Sequence, residues 1–176
     1  LAYAGDVRPA LAALERALRS RPAASGRRVL LHRRAQCRLA LGDLGGARQD
    51  LEASLGQAAA AYQQPAARAM LARVALEEGD VASALSVLEA VDAEDVARGD
   101  GLSAIVLLAR GDVLLAKGRV EAARTDIARA GEIASGAFGC ENPALRAWRS
   151  SAAMVAHRTG ERSAARPSEA AQRPRS

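Results

Sequence analysis

Leu41-Gly-Asp-Leu-Gly-Gly-Ala47 and Glu78-Gly-Asp-Val-Ala-Ser-Ala84 decide the fold. In each, a Gly and a polar residue precede an Ala placed five residues after the Gly. The Gly-plus-polar turn recurs on both sides, at Gly5-Asp6, Gly118-Arg119 and Gly160-Glu161. Successive turn glycines are 37, 37, 39 and 42 residues apart. A helix–turn–helix unit of about 34 residues with slightly lengthened connections gives this period.

The flanks of the turns repeat as well. Five residues after each Gly stand Ala10, Ala47, Ala84, Ala123 and Ala165. Nine residues after stand Leu14, Leu51, Leu88 and Ile127; seven before stand Ala35, Ala72, Gly111 and Ala153. Glycine ends a helix by taking the left-handed backbone conformation. Small residues at −7 and +5 let the two helices of a hairpin approach closely. The aliphatic residue at +9 lies one turn beyond +5 on the same face and fills the groove beside it. Pro22, seventeen residues after Gly5, sits where such a unit closes its second helix.

Composition agrees. Hydrophobic residues make up 49% and aromatic ones 2%, with Ala and Leu supplying most of the apolar content. Those two are strong helix formers, and strand-favouring residues are scarce. The expectation is an all-α chain, a tetratricopeptide-like α-solenoid of antiparallel helical hairpins. Helices are predicted at Val7–Arg19, Arg27–Leu41, Leu44–Ala60, Pro65–Glu78, Val81–Val91, Leu102–Lys117, Val120–Ser135 and Pro143–Thr159. Pro65 and Pro143 suit a first helical turn, and Ser25 and Asn142 suit N-caps. Asp92–Gly101 reads as an acidic loop. Residues 1–166 form the array, about five hairpins with incomplete ends, wound as a right-handed superhelix. Residues 167–176, rich in Pro, Ser, Gln and Arg, read as a disordered tail.

The net charge is +5 and the pI about 10.2, with Lys117 the single lysine. The arginines are interleaved with acidic residues along the chain, which reads as solvated helix faces rather than a nucleic-acid surface. Cys37 and Cys140 have no metal or disulfide-framework spacing and read as free thiols of a cytoplasmic protein. The longest apolar run, Ala104–Ala109, is far short of a membrane span. The chain begins at Leu1 rather than Met and reads as a fragment.

The stretch Leu108-Ala-Arg-Gly-Asp-Val-Leu-Leu-Ala-Lys-Gly-Arg-Val-Glu-Ala-Ala123, with Glu141-Asn-Pro-Ala-Leu-Arg-Ala-Trp-Arg-Ser-Ser-Ala-Ala153, resembles the helical-repeat region of LuxR-type large ATP-binding regulators, the MalT-like group. The turns at Gly42 and Gly79 fit its earlier repeats. The resemblance implies a non-catalytic, signal-sensing arm between a nucleotide-binding domain and a DNA-reading helix-turn-helix. Neither flanking domain is in this sequence: there is no G-x-x-x-x-G-K-[ST], since Lys117 is followed by Gly. DNA would be reached only through the missing domain. The alternative is a free-standing protein–protein adaptor of tetratricopeptide type.

Weighed singly, the chemistry-bearing residues point away from catalysis, metal and cofactor. Gly99-Asp-Gly-Leu-Ser-Ala104 matches a dinucleotide fingerprint in letters but lacks the preceding strand. His32 and His157 have no ligand or nucleophile partners at working spacing. Glu77-Glu78 and Asp92, Glu94 and Asp95 read as solvated carboxylates. Trp148 reads as inter-repeat packing. Arg27-Arg28 and Arg33-Arg34 form a basic patch without the interleaved aromatics of a single-strand binder. The functional expectation falls on the concave face, where solenoids bind. By register, His32, Gln36, Arg73, Glu77, Asp112, Met154 and Arg158 line it. Their mixed signs suit a protein or peptide partner, or a small effector, with no membrane involved.

Overall fold

The computed structural model describes residues 7–56, 64–138 and 147–160. Over them run nine helices: α1 (Val7–Arg19), α2 (Ala24–Ala40), α3 (Leu44–Gly56), α4 (Gln64–Glu77), α5 (Val81–Glu89), α6 (Ala93–Ala97), α7 (Gly101–Ala116), α8 (Val120–Phe138) and α9 (Ala147–Arg158). There is no strand among the described residues. Helices α2/α3, α4/α5 and α7/α8 pair as hairpins, and each hairpin packs on the next.

The turns have the predicted chemistry. Gly42, Gly79 and Gly118 have φ of +79°, +82° and +75°. At the first turn the Asp43 amide donates to the Arg38 carbonyl at 2.9 Å and the Gly42 amide to Leu39 at 3.1 Å. Asp80 and Gly79 repeat this pair on Ala75 and Leu76, and Arg119 and Gly118 on Leu114 and Leu115. These paired bonds satisfy the last carbonyls of each first helix in a Schellman motif. Asp43 and Asp80 then cap the second helix: their Oδ1 atoms accept from the Gly46 and Ser83 amides, each at 2.9 Å.

The small-residue register holds in the three paired hairpins. Ala35, Ala47, Ala72, Ala84 and Ala123 are all 0% exposed. At the third hairpin the −7 residue is Gly111, and a β-carbon there would stand 2.6 Å from Ile127 Cγ1. Ile127 is the +9 residue. Where +9 is Leu51 or Leu88, −7 carries Ala; where +9 is β-branched Ile, only Gly leaves room. Ala153, the −7 residue of α9, is exposed, unlike its counterparts.

A second device closes two of the hairpins. Arg34 of α2 donates Nε and Nη2 to Asp50 of α3, at 2.8 and 2.6 Å. Arg110 of α7 donates the same two atoms to Asp126 of α8, at 2.6 and 2.7 Å. Both pairs stand eight residues either side of the turn glycine. Asp50 is 2% exposed and takes a further bond from Arg38 Nη1 at 3.0 Å.

Several expectations are corrected. Asp92–Gly101 is not an open loop: α6 occupies part of it and packs against α7, and the Ser103 hydroxyl donates to the Asp95 carbonyl at 2.8 Å. Ser25 lies inside α2 and Ala23 holds the cap position without a side-chain bond, so α2 starts three residues early. Helix α8 runs three residues past Ser135. Glu78 pairs with Arg48 of α3 instead of being merely solvated. Gly99–Ala104 forms a capping box: Asp100 Oδ1 accepts from the Leu102 and Ser103 amides, both at 2.9 Å. Cys37 is a buried free thiol. Cys140, Asn142, Pro143, Ala165, the end of the predicted Leu44–Ala60 helix and the tail 167–176 lie outside the described residues, as does the Trp148 side chain.

Candidate functional site

Helices α2, α4, α7 and α9 are the first members of successive units. Helix α4 packs directly on α7, and α7 on α9. Among the described residues the second members, α3, α5 and α8, make no comparably close contacts with one another. These first members form the layer on which the sequence register places the candidate residues, with α2 joined to α4 through α3 rather than directly.

On that layer Arg73 and Glu77 are exposed, four residues apart on α4. Both lie within electrostatic reach of Asp112 on α7. Asp112 Oδ1 accepts a 2.6 Å bond from the Ser151 hydroxyl of α9. Burial pushes the Asp112 carboxyl above the ordinary carboxylate range; Ser151 and Arg73 draw it back, and Glu77 adds to the rise. Arg158 Nη1 donates to the Leu115 carbonyl at 2.7 Å, placing a cation at the C-terminal end of α7. Met154 is 50% exposed.

The structure therefore brings Arg73, Glu77 and Asp112 into one field across α4 and α7. Asp112 and Arg158 also fasten α9 to α7. His32 and Gln36 stand apart on α2, where Arg33 is neighbour to both: its Nη1 donates to Gln36 Oε1 at 3.0 Å. Burial, with Arg33 second, lowers the His32 imidazole from 6.5 to about 4, so it is neutral at physiological pH. Sequence reasoning missed Ser151, the buried partner of Asp112. It also missed the Arg34–Asp50 and Arg110–Asp126 pairs, whose signal was an Arg at −8 and an Asp at +8 in two of three units.

Among the described residues no three His, Cys, Asp or Glu side chains gather as a metal-binding group. No described helix is long and apolar enough to cross a membrane. Around Asp112 these helices offer hydrogen bonding and charge of both signs.

A family model for the tetratricopeptide repeat-like domain matches residues 30–137. A crystal structure of nearly identical TPR-like repeats, described as those of a kinesin light chain from Podospora anserina, superposes with a TM-score of 0.55 at 20% identity, over 90% of this chain and 81% of that one. No curated protein matches the chain.

Proposed function

The chain belongs to the tetratricopeptide repeat-like domain family, and from that premise we propose that it is a non-catalytic protein-interaction module whose inner face receives an extended peptide of a protein partner. The observation that carries this is the row formed by Arg73 and Glu77 of α4, beside Asp112 of α7, with opposite signs side by side. An extended peptide presents alternating donors and acceptors and can satisfy both. His32, Gln36, Met154 and Arg158 extend the face, and the array comprises residues 1–166 with 167–176 as its tail. The test is a peptide-array screen followed by titration against Arg73→Glu and Glu77→Arg. Charge reversal should weaken the selected peptide roughly tenfold or more; unchanged affinity in both variants defeats the reading.

The finer assignment is the sensing arm of a LuxR-type ATP-binding regulator in the cytoplasm. Its support is the sequence likeness over Leu108–Ala123 and Glu141–Ala153. The deciding observation is the gene around this segment. A Walker-type domain upstream and a helix-turn-helix downstream fit the regulator; neither fits the free-standing adaptor.

A further inference from the structure

The charge of this chain is not evenly spread, although its whole-chain balance reads that way. Residues 7–40, which make up α1, α2 and their connection, hold nine arginines and one acid, Glu15, a net +8. Residues 41–135 hold nine basic and fifteen acidic residues, a net −6. The sign reverses within one repeat.

At the centre of the positive end, an open cleft of about 420 Å³ lies between α1 and α2, lined by Glu15, Leu18, Arg19, Arg27 and Arg34. Leu18 is 8% exposed and gives the lining an apolar residue. Arg19 and Arg27 are exposed and pair with no carboxylate among the described residues. Arg34 spends Nε and Nη2 on Asp50 and keeps Nη1 for another acceptor. Arg38 bonds Asp50 too and pairs with Asp43 at 3.5 Å, so Arg34 and Arg38 are balanced by two carboxylates and the net charge of the cleft rests on Arg19 and Arg27.

We infer that the α1–α2 cleft is a docking site for a short acidic segment of a protein partner, separate from the inner face. Guanidiniums recognise carboxylates by paired hydrogen bonds, and Arg19 and Arg27 line the cleft with both edges uncommitted while Arg34 adds its Nη1. Leu18 suits an apolar residue flanking the acids. The extent of the field fixes the length of the ligand: a polyphosphate strand running along the array would leave +8 for −6 within one unit. The lining offers no aromatic ring on which bases could stack. This reading stands independently of the inner-face module.

The test is fluorescence anisotropy with a labelled, end-capped hexaglutamate peptide, with hexaglutamine and a six-nucleotide oligothymidylate as controls. Hexaglutamate should bind and hexaglutamine should not. Arg19→Glu with Arg27→Glu should weaken binding roughly tenfold or more. Arg73→Glu, on the inner face, should leave it unchanged. Both cleft arginines are exposed, so the helical circular dichroism should survive; if it does not, Arg19→Gln with Arg27→Gln takes the place of the reversal. Affinity indifferent to the cleft variants overturns the proposal, as does loss of binding in Arg73→Glu. Oligothymidylate binding as tightly with a steeper salt dependence assigns the cleft to nucleic acid. Sedimentation showing self-association abolished by the cleft variants assigns it to a second copy.

Discussion

Hairpins α2/α3 and α4/α5 are built on the same small residues, Ala35 with Ala47 and Ala72 with Ala84, all fully buried. Eight residues either side of the turn glycine they part company. The first carries Arg34 and Asp50; the second carries Leu71, 6% exposed, with Val87 packed against the cluster that holds it. The third hairpin returns to the ionic choice with Arg110 and Asp126. One slot between paired helices thus accepts either a bidentate ion pair or two aliphatic side chains. The two solutions need not differ much in stability, because desolvation offsets most of a buried pair's attraction. They differ in failure: half an ion pair is far worse than half an apolar contact.

That difference sets the largest expected effect. Asp50→Ala leaves Arg34 and Arg38 without their shared acceptor and should cost about 3 kcal/mol in urea unfolding, the lower end for broken buried pairs because both arginines keep some exposure. Next is Gly111→Ala, whose new methyl meets Ile127 Cγ1. Overpacking of about 1–3 kcal/mol, less about 1 kcal/mol of helix propensity, should leave a net loss. Adding Ile127→Leu, the pairing used at the other two turns, should restore most of it in a double-mutant cycle; additive losses would mean the two positions do not share space. Smaller still is the change of the third slot into the second. Arg110→Leu with Asp126→Val should shift stability by no more than about 1 kcal/mol in either direction, whereas Asp126→Val alone should cost clearly more. The effect that is smallest at neutral pH concerns His32, on the first hairpin. Its folded pKa of about 4 lies below the ordinary 6.5, so the unfolded chain takes up the proton first and stability falls as pH drops from 6.5 towards 4. His32→Gln should flatten that part of the Tm–pH curve and leave the curve above pH 7 unchanged in slope.

The turns were legible because backbone conformation is written in single residues. A left-handed C-cap wants Gly, and a close crossing wants Ala. Gly111 belonged visibly to the register, but its reason became plain only with Ile127 placed opposite. The ionic slot was harder to see: two of three units carry it, and Leu71 with Val87 breaks the pattern. Helix α6 escaped because five residues carry too little periodicity, and its acidic first turn reads equally well as loop. The inner-face residues were legible as positions and less so as roles. Asp112 and Arg158 look available in sequence, yet each bonds the neighbouring unit. A register says which residues share a face and not which of them the next helix has already engaged.

The reversal of charge between residues 7–40 and 41–135 has a consequence for rates. The hairpins stack in chain order, so an acidic stretch follows a basic one along the array, and residues 136–176 are basic again at a net +4. A negatively charged partner approaching in solution is drawn towards the basic α1–α2 end and repelled from the acidic middle before any atom touches. Added salt should therefore slow the association rate while leaving the dissociation rate nearly constant, because screening acts on the approach and much less on contacts already made.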